Sequence, residues 1–556
     1  MENILSAIQN ESWEEALELF LNYTEGKKLD EDMCIIGATI LEHFDDSESL
    51  FEIIQSGLKL NIFNYELYIL LGNYYSRTNP EKAYLTYENA LYFARKYGTE
   101  EDIETVETIL NDYREMAKPN VRKVTILVIY DEEKEYLKKC LDGIKDNCFR
   151  DCYEIEKIEA LDFEKRIGLI NEAVLKSNKD NDVFLLRSDV VMMPNALYNL
   201  RLGLYESDDI GACSAVANFA FYMQIRPQKN VHSESESYDF ALLNNIPMAR
   251  PYETKCSVDG NFVLIKRDVI YKVFPIDEYM LSDGSNFTEL SLNIIKSGYH
   301  NVACWNSYVY RKIREELNAK NKKYLDSDRD KFTEKWGFLA EYYMNVRNEM
   351  IDLFKKDIDE EFDVLEVGAG LGTTLLNIQY RYPNVRVKGV EIVQKLTEIA
   401  KNYVNIEYGN IETYNFADDE EYDYILFGDV LEHLVDPYTL VDNLKKHLKP
   451  GGCIIASIPN ILDAEVIYEL LHGNFTYMDA GVLDRTHLRF FTQNEVVKLF
   501  TERGYEIVDL YGLPDHLRNS RKYGDFFDKL TRIEGVVDRS AFDMLQYLVC
   551  AKKKEE

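Results

Sequence analysis

What the chain lacks narrows its function before any motif is read. None of its apolar runs approaches the roughly twenty residues that a membrane-spanning helix needs, so no span is expected. The opening Met1-Glu-Asn-Ile-Leu5 has no basic start leading into an apolar core, so no secretory leader is expected either. Positive charge is scarce: 64 Lys and Arg stand against 98 Asp and Glu, a net charge of −34. Affinity for nucleic acid comes largely from neutralising phosphates, and anionic membranes attract the same kind of charge, so neither is expected as an extended partner. The nine cysteines are odd in number and follow no framework of spacings, with Cys148 and Cys152 the only close pair. Reduced thiols in a cytoplasmic protein are the expectation. A length of 556 residues exceeds what one core holds, which predicts a multidomain chain.

From residue 1 to 118 there is helical periodicity with neither a glycine-rich loop nor strand-like alternation. Three segments recur at a period of roughly 34 residues. They are Ser12–Phe20, Ser47–Ile54 and Pro80–Ala90, and the small or apolar Ala16, Leu50 and Ala83 fall in step. The last unit, with Leu71, Gly72 and Tyr75 before Ala83, Tyr87 and Ala90, resembles a tetratricopeptide repeat. Helix pairs of this kind bury their apolar faces by stacking. The resemblance implies an α-helical repeat domain with a docking surface for a protein partner; a helical cap without a ligand is the competing expectation.

At Val121-Arg-Lys-Val-Thr-Ile-Leu-Val-Ile-Tyr130 the period switches to strand. Asn171-Glu-Ala173, Asp182–Val191, Pro194–Leu197, Asn245–Met248, Gly260–Arg267 and Ile276-Asp-Glu278 before Lys296–Tyr299 then follow in a succession that resembles a family 2 glycosyltransferase with the α/β GT-A nucleotide-sugar fold, over residues 121–311. That resemblance implies a nucleotide-sugar site at Tyr130, Asp131, Arg187 and Ser188, a divalent metal (Mn or Mg) on Asp189, and Glu289 or nearby Asp283 as base. The chain departs from the family in three places. Arg187 stands where Asn or Asp is usual, the acidic run of the family shrinks to Asn286-Phe-Thr-Glu-Leu-Ser291, and Arg311 stands where a metal-binding His often does. Residues 312–358 read as a charged helical linker anchored by Phe332, Trp336, Phe338 and Tyr342.

The stretch Asp363-Val-Leu-Glu-Val-Gly-Ala-Gly-Leu-Gly-Thr373 reads as strand, tight loop and helix, with Gly368, Gly370 and Gly372 letting backbone lie against a ligand. A dinucleotide fingerprint would have a third glycine where Thr373 stands, which weakens that reading. Glu391 ends the next apolar run about twenty residues on, where a carboxylate can accept both ribose hydroxyls. Tyr408-Gly-Asn-Ile-Glu412, Tyr422–Pro437, Leu448-Lys-Pro-Gly-Gly452 and Cys453–Pro459 complete a series that resembles the class I (Rossmann-like) S-adenosylmethionine (SAM) methyltransferases, over residues 359–553. The resemblance implies SAM as cofactor, held by Glu366, Gly368, Gly370, Gly372, Glu391, Asn410, Ile411, Asp429 and Val430. Asn410 takes the place of an Asp that reads the adenine amino group.

SAM carries its methyl already activated, so the protein must hold an acceptor in line and, for a hydroxyl, remove its proton. His433, in Asp429-Val-Leu-Glu-His433, and His487, in Asp484–Thr492, are the expected bases. The spacing Asp429-x-x-Glu432-His433 with His487 is also similar to a metal-assisted RNA 2′-O-methyltransferase, a reading the acidic charge opposes. Tyr505–Tyr511 and Tyr547–Lys552 read as a closing strand pair, with 512–542 an insertion that serves as a lid or a plain surface excursion. The expected function is SAM-dependent methylation of a sugar on a surface glycan or glycoprotein acceptor, with transfer of that sugar by the preceding domain as a second activity that the resemblance would allow. In the alternative, only the methyltransferase is catalytic and the rest is an acceptor-binding platform.

Overall fold

The computed structural model describes residues 1–220, 233–514 and 523–554. The chain divides into two compact units, Met1–Glu341 and Tyr342–Glu556.

The first unit opens with seven helices: Glu2–Gln9, Trp13–Thr24, Glu31–Leu41, Ser47–Leu60, Tyr65–Ser76, Pro80–Tyr97 and Glu100–Ala117. Several starts are fixed by short polar side chains that satisfy an otherwise unpaired N–H of the first turn. Asp30 accepts from Met33, Asp46 from Ser49, Asn64 from Leu67 and Asn79 from Lys82, while Thr99 and Asp102 cap each other reciprocally. The three repeated segments lie at the second, fourth and sixth helices. Gly72 is needed for the close approach of one pair, since a Cβ there would lie only 2.3 Å from Cε1 of the Tyr87 ring. Polar bonds tie these helices to the sheet domain that follows. Asn195 donates to Tyr68 Oη at 2.6 Å, Gln55 donates to the Pro247 carbonyl at 3.0 Å, and Arg201 pairs with Glu88 at 2.6 Å.

That sheet contains β1 (Val124–Tyr130), β2 (Tyr153–Glu159), β3 (Asp182–Arg187), β4 (Val190–Val191), β5 (Ile210–Ala217), β6 (Tyr252–Lys255), β7 (Phe262–Ile265) and β8 (His300–Arg311). Its order is β2-β1-β3-β7-β5-β8-β4, with β6 also on β8. β1 runs parallel to β2 and β3, and β7 is antiparallel to both β3 and β5. Every residue of β3 and β5 is buried, as expected for strands covered on both faces. The helix Glu315–Trp336 packs back onto this unit: Asp328 accepts from the N–H groups of Leu281 and Ser282 at 2.8 and 2.7 Å. The boundary between the two units thus falls within the stretch 312–358.

The second unit holds β9 (Asp363–Val367), β10 (Arg386–Glu391), β11 (Ile406–Tyr408), β12 (Tyr422–Gly428), β13 (Leu448–Pro459), β14 (Tyr505–Pro514) and β15 (Met544–Lys553). The order is β11-β10-β9-β12-β13-β15-β14; the first five are parallel, and β15 runs antiparallel to both β13 and β14. Strand order reverses between β9 and β12, which opens a crevice beyond their carboxyl ends. The expected insertion differs at its start, because residues 512–514 continue β14. Residues 515–522 lie outside the described residues. From 523 onward Tyr523, Phe527 and Phe542 pack together with Ala464 of the helix Ala464–Leu471, so this part is anchored to the domain by its own small apolar core.

Candidate active site

The first unit corrects the metal expectation. Asp189 is 3% exposed and sits between two guanidinium groups, Arg187 at 3.1 Å and Arg311 at 3.5 Å. Arg187 also reaches Asp283 at 2.9 Å, Arg166 pairs with the same carboxylate, and Arg311 reaches Asp259 at 3.4 Å. Three arginines and three aspartates therefore neutralise one another in the interior, and the acid predicted to meet a cation already has its positive partners. The residues present do not fit a divalent metal. Glu289, the expected base, is buried, 2.7 Å from Lys335, with Trp336 Nε1 at 3.5 Å from its other oxygen. Of the nucleotide-sugar residues, Asp131 pairs with Arg314 at 2.6 Å, Ser188 is buried with its N–H on the Ile129 carbonyl, and Tyr130 ends β1 half-buried.

In the second unit the glycine loop is built as its spacing predicts. Gly368, Gly370 and Gly372 have φ of 71°, 56° and 70°, the left-handed region that L side chains avoid. A Cβ on Gly368 would lie 2.6 Å from Val430 Cγ2. Glu391, at the end of β10, accepts from the N–H of Gly370 at 2.8 Å and from that of Val393 at 2.7 Å, which locks the loop to the second strand. Burial raises its carboxyl above the usual range, and those backbone donors oppose the shift. Asn410 is exposed, and its side-chain oxygen accepts from the N–H of Glu412 at 3.0 Å to cap the short turn that begins with buried Ile411. Asp429 is held in the left-handed region at φ 54° and accepts from Ser457 at 3.0 Å and Gln546 at 2.9 Å.

Sequence reasoning missed Arg347. It forms an ion pair with Asp429 and lies beside Gly428, where a Cβ would be 3.2 Å from its Nε. Nothing local marks it, because its partner is distant in sequence. Glu366 lies next to the loop with its Oε2 lacking a hydrogen-bond partner among the described residues. Burial pushes this carboxyl up to about 8 from its ordinary 4.5, against the opposing pull of Thr374 and Arg347. Between those values the folded chain keeps a proton that the unfolded chain releases, so stability falls as pH rises through that window. Glu366→Gln is expected to flatten the decline in Tm measured by scanning calorimetry from about pH 5 to about pH 8. An unchanged decline would count against a neutral buried acid.

The two histidines meet. His433 closes the turn Leu431–His433 after β12, and His487 lies in the segment before the helix Gln493–Thr501; their rings are 4.7 Å apart. The loop is pinned beneath them, since the N–H groups of Leu488 and Arg489 both donate to the Glu432 carbonyl, at 2.8 and 3.0 Å. His487 Nδ1 lies 2.9 Å from the Val482 carbonyl, and its Nε2 lies 3.9 Å from Glu432 Oε1. His433 Nδ1 is 3.1 Å from Thr486 Oγ1, and burial, then the neighbouring His487, lowers its pKa below the usual imidazole value. Glu432 itself is 1% exposed and neither carboxyl oxygen has a hydrogen-bond partner among the described residues.

A parallel sheet that reverses at the glycine loop, with a carboxylate of the second strand bonded to that loop, is the place where open α/β sheets bind a nucleotide or nucleoside. Residues 311–510 match a family model described as a methyltransferase domain. Among curated proteins, the chain is 27% identical over 176 residues to a ubiquinone biosynthesis O-methyltransferase of Rickettsia akari (strain Hartford), covering 30% of this chain and 68% of that protein. It is 26% identical over 162 residues to the protein of the same name from Coxiella burnetii (strain RSA 493 / Nine Mile phase I), covering 28% and 67%. Among solved structures, the YcgJ protein of Bacillus subtilis is 19% identical over 38% of this chain and 98% of its own, with a TM-score of 0.27. A SAM-dependent methyltransferase from Archaeoglobus fulgidus is 17% identical over 40% and 99%, with a TM-score of 0.28. The chain carries a class I, SAM-dependent methyltransferase domain.

Proposed function

We propose that the second unit transfers the methyl group of SAM to a hydroxyl of a polyhydroxylated acceptor, and that the first unit contributes acceptor binding without catalysis. The observation that carries the first half is the junction of the glycine loop with Glu391, which presents bare backbone and a carboxylate to one crevice. The cradle suits the cofactor: the left-handed glycines leave no Cβ in it, and Glu366 Oε2 beside it is without a partner among the described residues. When bound, SAM supplies a methyl already activated by its sulfonium. Glu391 would accept the ribose hydroxyls through its remaining lone pairs, Asn410 and Ile411 would border the adenine, and Asp429 with Arg347 would fix the loop after β12. His433, His487 and Glu432 handle the acceptor oxygen and its proton, a role that the O-methyltransferase names of the curated relatives support.

The second half rests on the ion network of the first unit, where Asp189 and Asp283 are neutralised by arginine. What supports a sugar as acceptor is the resemblance of residues 121–311 to sugar transferases, which suits a glycan or glycosylated protein. Titration calorimetry with SAM, followed by mass analysis of glycan acceptors for added methyl, tests the first half. Absence of SAM binding would remove it. Incubation with a panel of nucleotide sugars and manganese tests the second: no donor hydrolysis is expected, and turnover of any donor would restore the transferase reading.

A further inference from the structure

We infer that Phe475 and Tyr477 form a carbohydrate subsite that holds the sugar unit next to the one being methylated, so that the acceptor is a disaccharide or longer glycan; this rests on the methyltransferase reading above. Every residue from Leu471 to Gly481 is exposed, yet the stretch carries Phe475 at 41% and Tyr477 at 50% exposure. A single apolar side chain on a surface needs no explanation, but aromatic rings gathered beside a crevice mark a face that something covers. The rings continue the histidine pair outward. Phe490 lies 6.5 Å from His487, Phe475 lies 6.0 Å from Phe490, and Tyr477 lies 5.6 Å from Phe475, each steeply angled to the one before. Phe475 and Tyr477 are thus separated from His487 by the Phe490 ring, and what they touch is the neighbour of the reacting unit.

The row is held in place by backbone. The Met478 N–H donates to the Leu483 carbonyl at 2.9 Å, and the Arg485 N–H returns to the Met478 carbonyl at 3.0 Å. The turn so closed contains Gly481 at φ 91°, a conformation that suits glycine alone. A platform fixed beforehand loses little freedom when a ligand settles on it. Its chemistry selects the ligand. Asn474, Thr476 and Asp479 interrupt the apolar side chains, so there is no continuous groove for an acyl chain or an amphipathic helix. Residues 464–490 hold four acids against two arginines, whereas surfaces that lie on anionic lipid are basic. A pyranose matches the alternation: its C–H bonds line the two faces of the ring and its hydroxyls the edge. The negative face of an aromatic ring attracts those C–H bonds. At the rim Asp479 accepts from hydroxyls and Arg485 donates to them; the two pair at 2.5 Å, but an ion pair this exposed is weak enough to open.

The test uses the full chain with the demethylated cofactor, so that no turnover occurs, and a panel of methyl glycosides and of the disaccharides built from the same units. Saturation-transfer NMR reads binding and shows which C–H protons lie against the protein. At least one disaccharide is expected to bind about tenfold or more tightly than the methyl glycosides of its units. Phe475→Ala and Tyr477→Ala should each weaken it about tenfold or more. Tyr477→Phe should retain binding, and Tyr477→Leu should not, because leucine keeps apolar bulk without a ring face. SAM affinity, retained in all four variants, is the check on folding. A panel in which no sugar binds, a disaccharide no tighter than its parts, or binding that survives both alanine changes would overturn the subsite and leave the methyltransferase reading standing. Capture by phosphatidylcholine vesicles that Tyr477→Ala abolishes would overturn it too, in favour of a lipid surface. Loss of SAM binding in the unmodified chain would instead strike the methyltransferase reading itself.

Discussion

Gly370→Trp is expected to weaken SAM binding by at least about 100-fold, equivalent to about 2.7 kcal/mol or more. Two effects add. The residue holds φ 56°, where a side chain of L configuration costs about 1–2 kcal/mol. The indole would also start from a Cβ position 3.2 Å from the Tyr343 ring, in the space the loop keeps clear. Because the Gly370 N–H is what Glu391 grips at 2.8 Å, any shift that relieves the clash also releases the carboxylate meant for the ribose. Titration calorimetry with SAM measures the loss, and circular dichroism confirms that the fold persists. Binding at full strength would mean that the cofactor lies elsewhere.

Arg311→Met should destabilise the first unit by about 3–5 kcal/mol, the usual result of stripping one partner from a buried ion pair. Asp189 at 3% exposure and Asp259 at 0% would each keep a negative charge with less compensation, and no solvent is at hand to supply it. Chemical denaturation of the full chain should show an early transition that the wild type lacks. The paired change Arg311→Met with Asp189→Asn is expected to recover part of the loss, since it removes the charge and its counterion together. If manganese stabilised the single variant, Asp189 would be a cation ligand that the arginine merely displaces. No such rescue is expected, because Arg187 remains 3.1 Å from the same carboxylate.

The methyltransferase fold was legible because its signals are local. Gly368, Gly370 and Gly372 announce a turn by their own backbone freedom, and Glu391 ends the next strand in the register the motif requires. Two features were illegible for a common reason: each depends on a partner remote in sequence. Arg347 acquires meaning only when Asp429 is folded against it. Asp189 looks like an available ligand until Arg311, at the end of β8, arrives beside it. Glu432 stands out in the sequence by its spacing to Asp429 and His433, but that it is buried 3.9 Å from His487 shows only once the chain is folded. The end of β14 was misplaced for a different reason: Gly512 and Pro514 are turn residues by composition, and pairing with Tyr547 and Met544 of β15 overrides that preference.

The polar ties between the opening helices and the sheet that follows have a consequence for how this chain can be divided. Arg201 is 4% exposed and Asn195 is 2% exposed, and their partners Glu88 and Tyr68 both come from those helices. A shortened protein beginning near residue 119 would bring a guanidinium and an amide, each tailored to a lost neighbour, to a raw apolar surface. Helices and sheet have thus become one inheritance: neither can be traded to another chain without rewriting the seam.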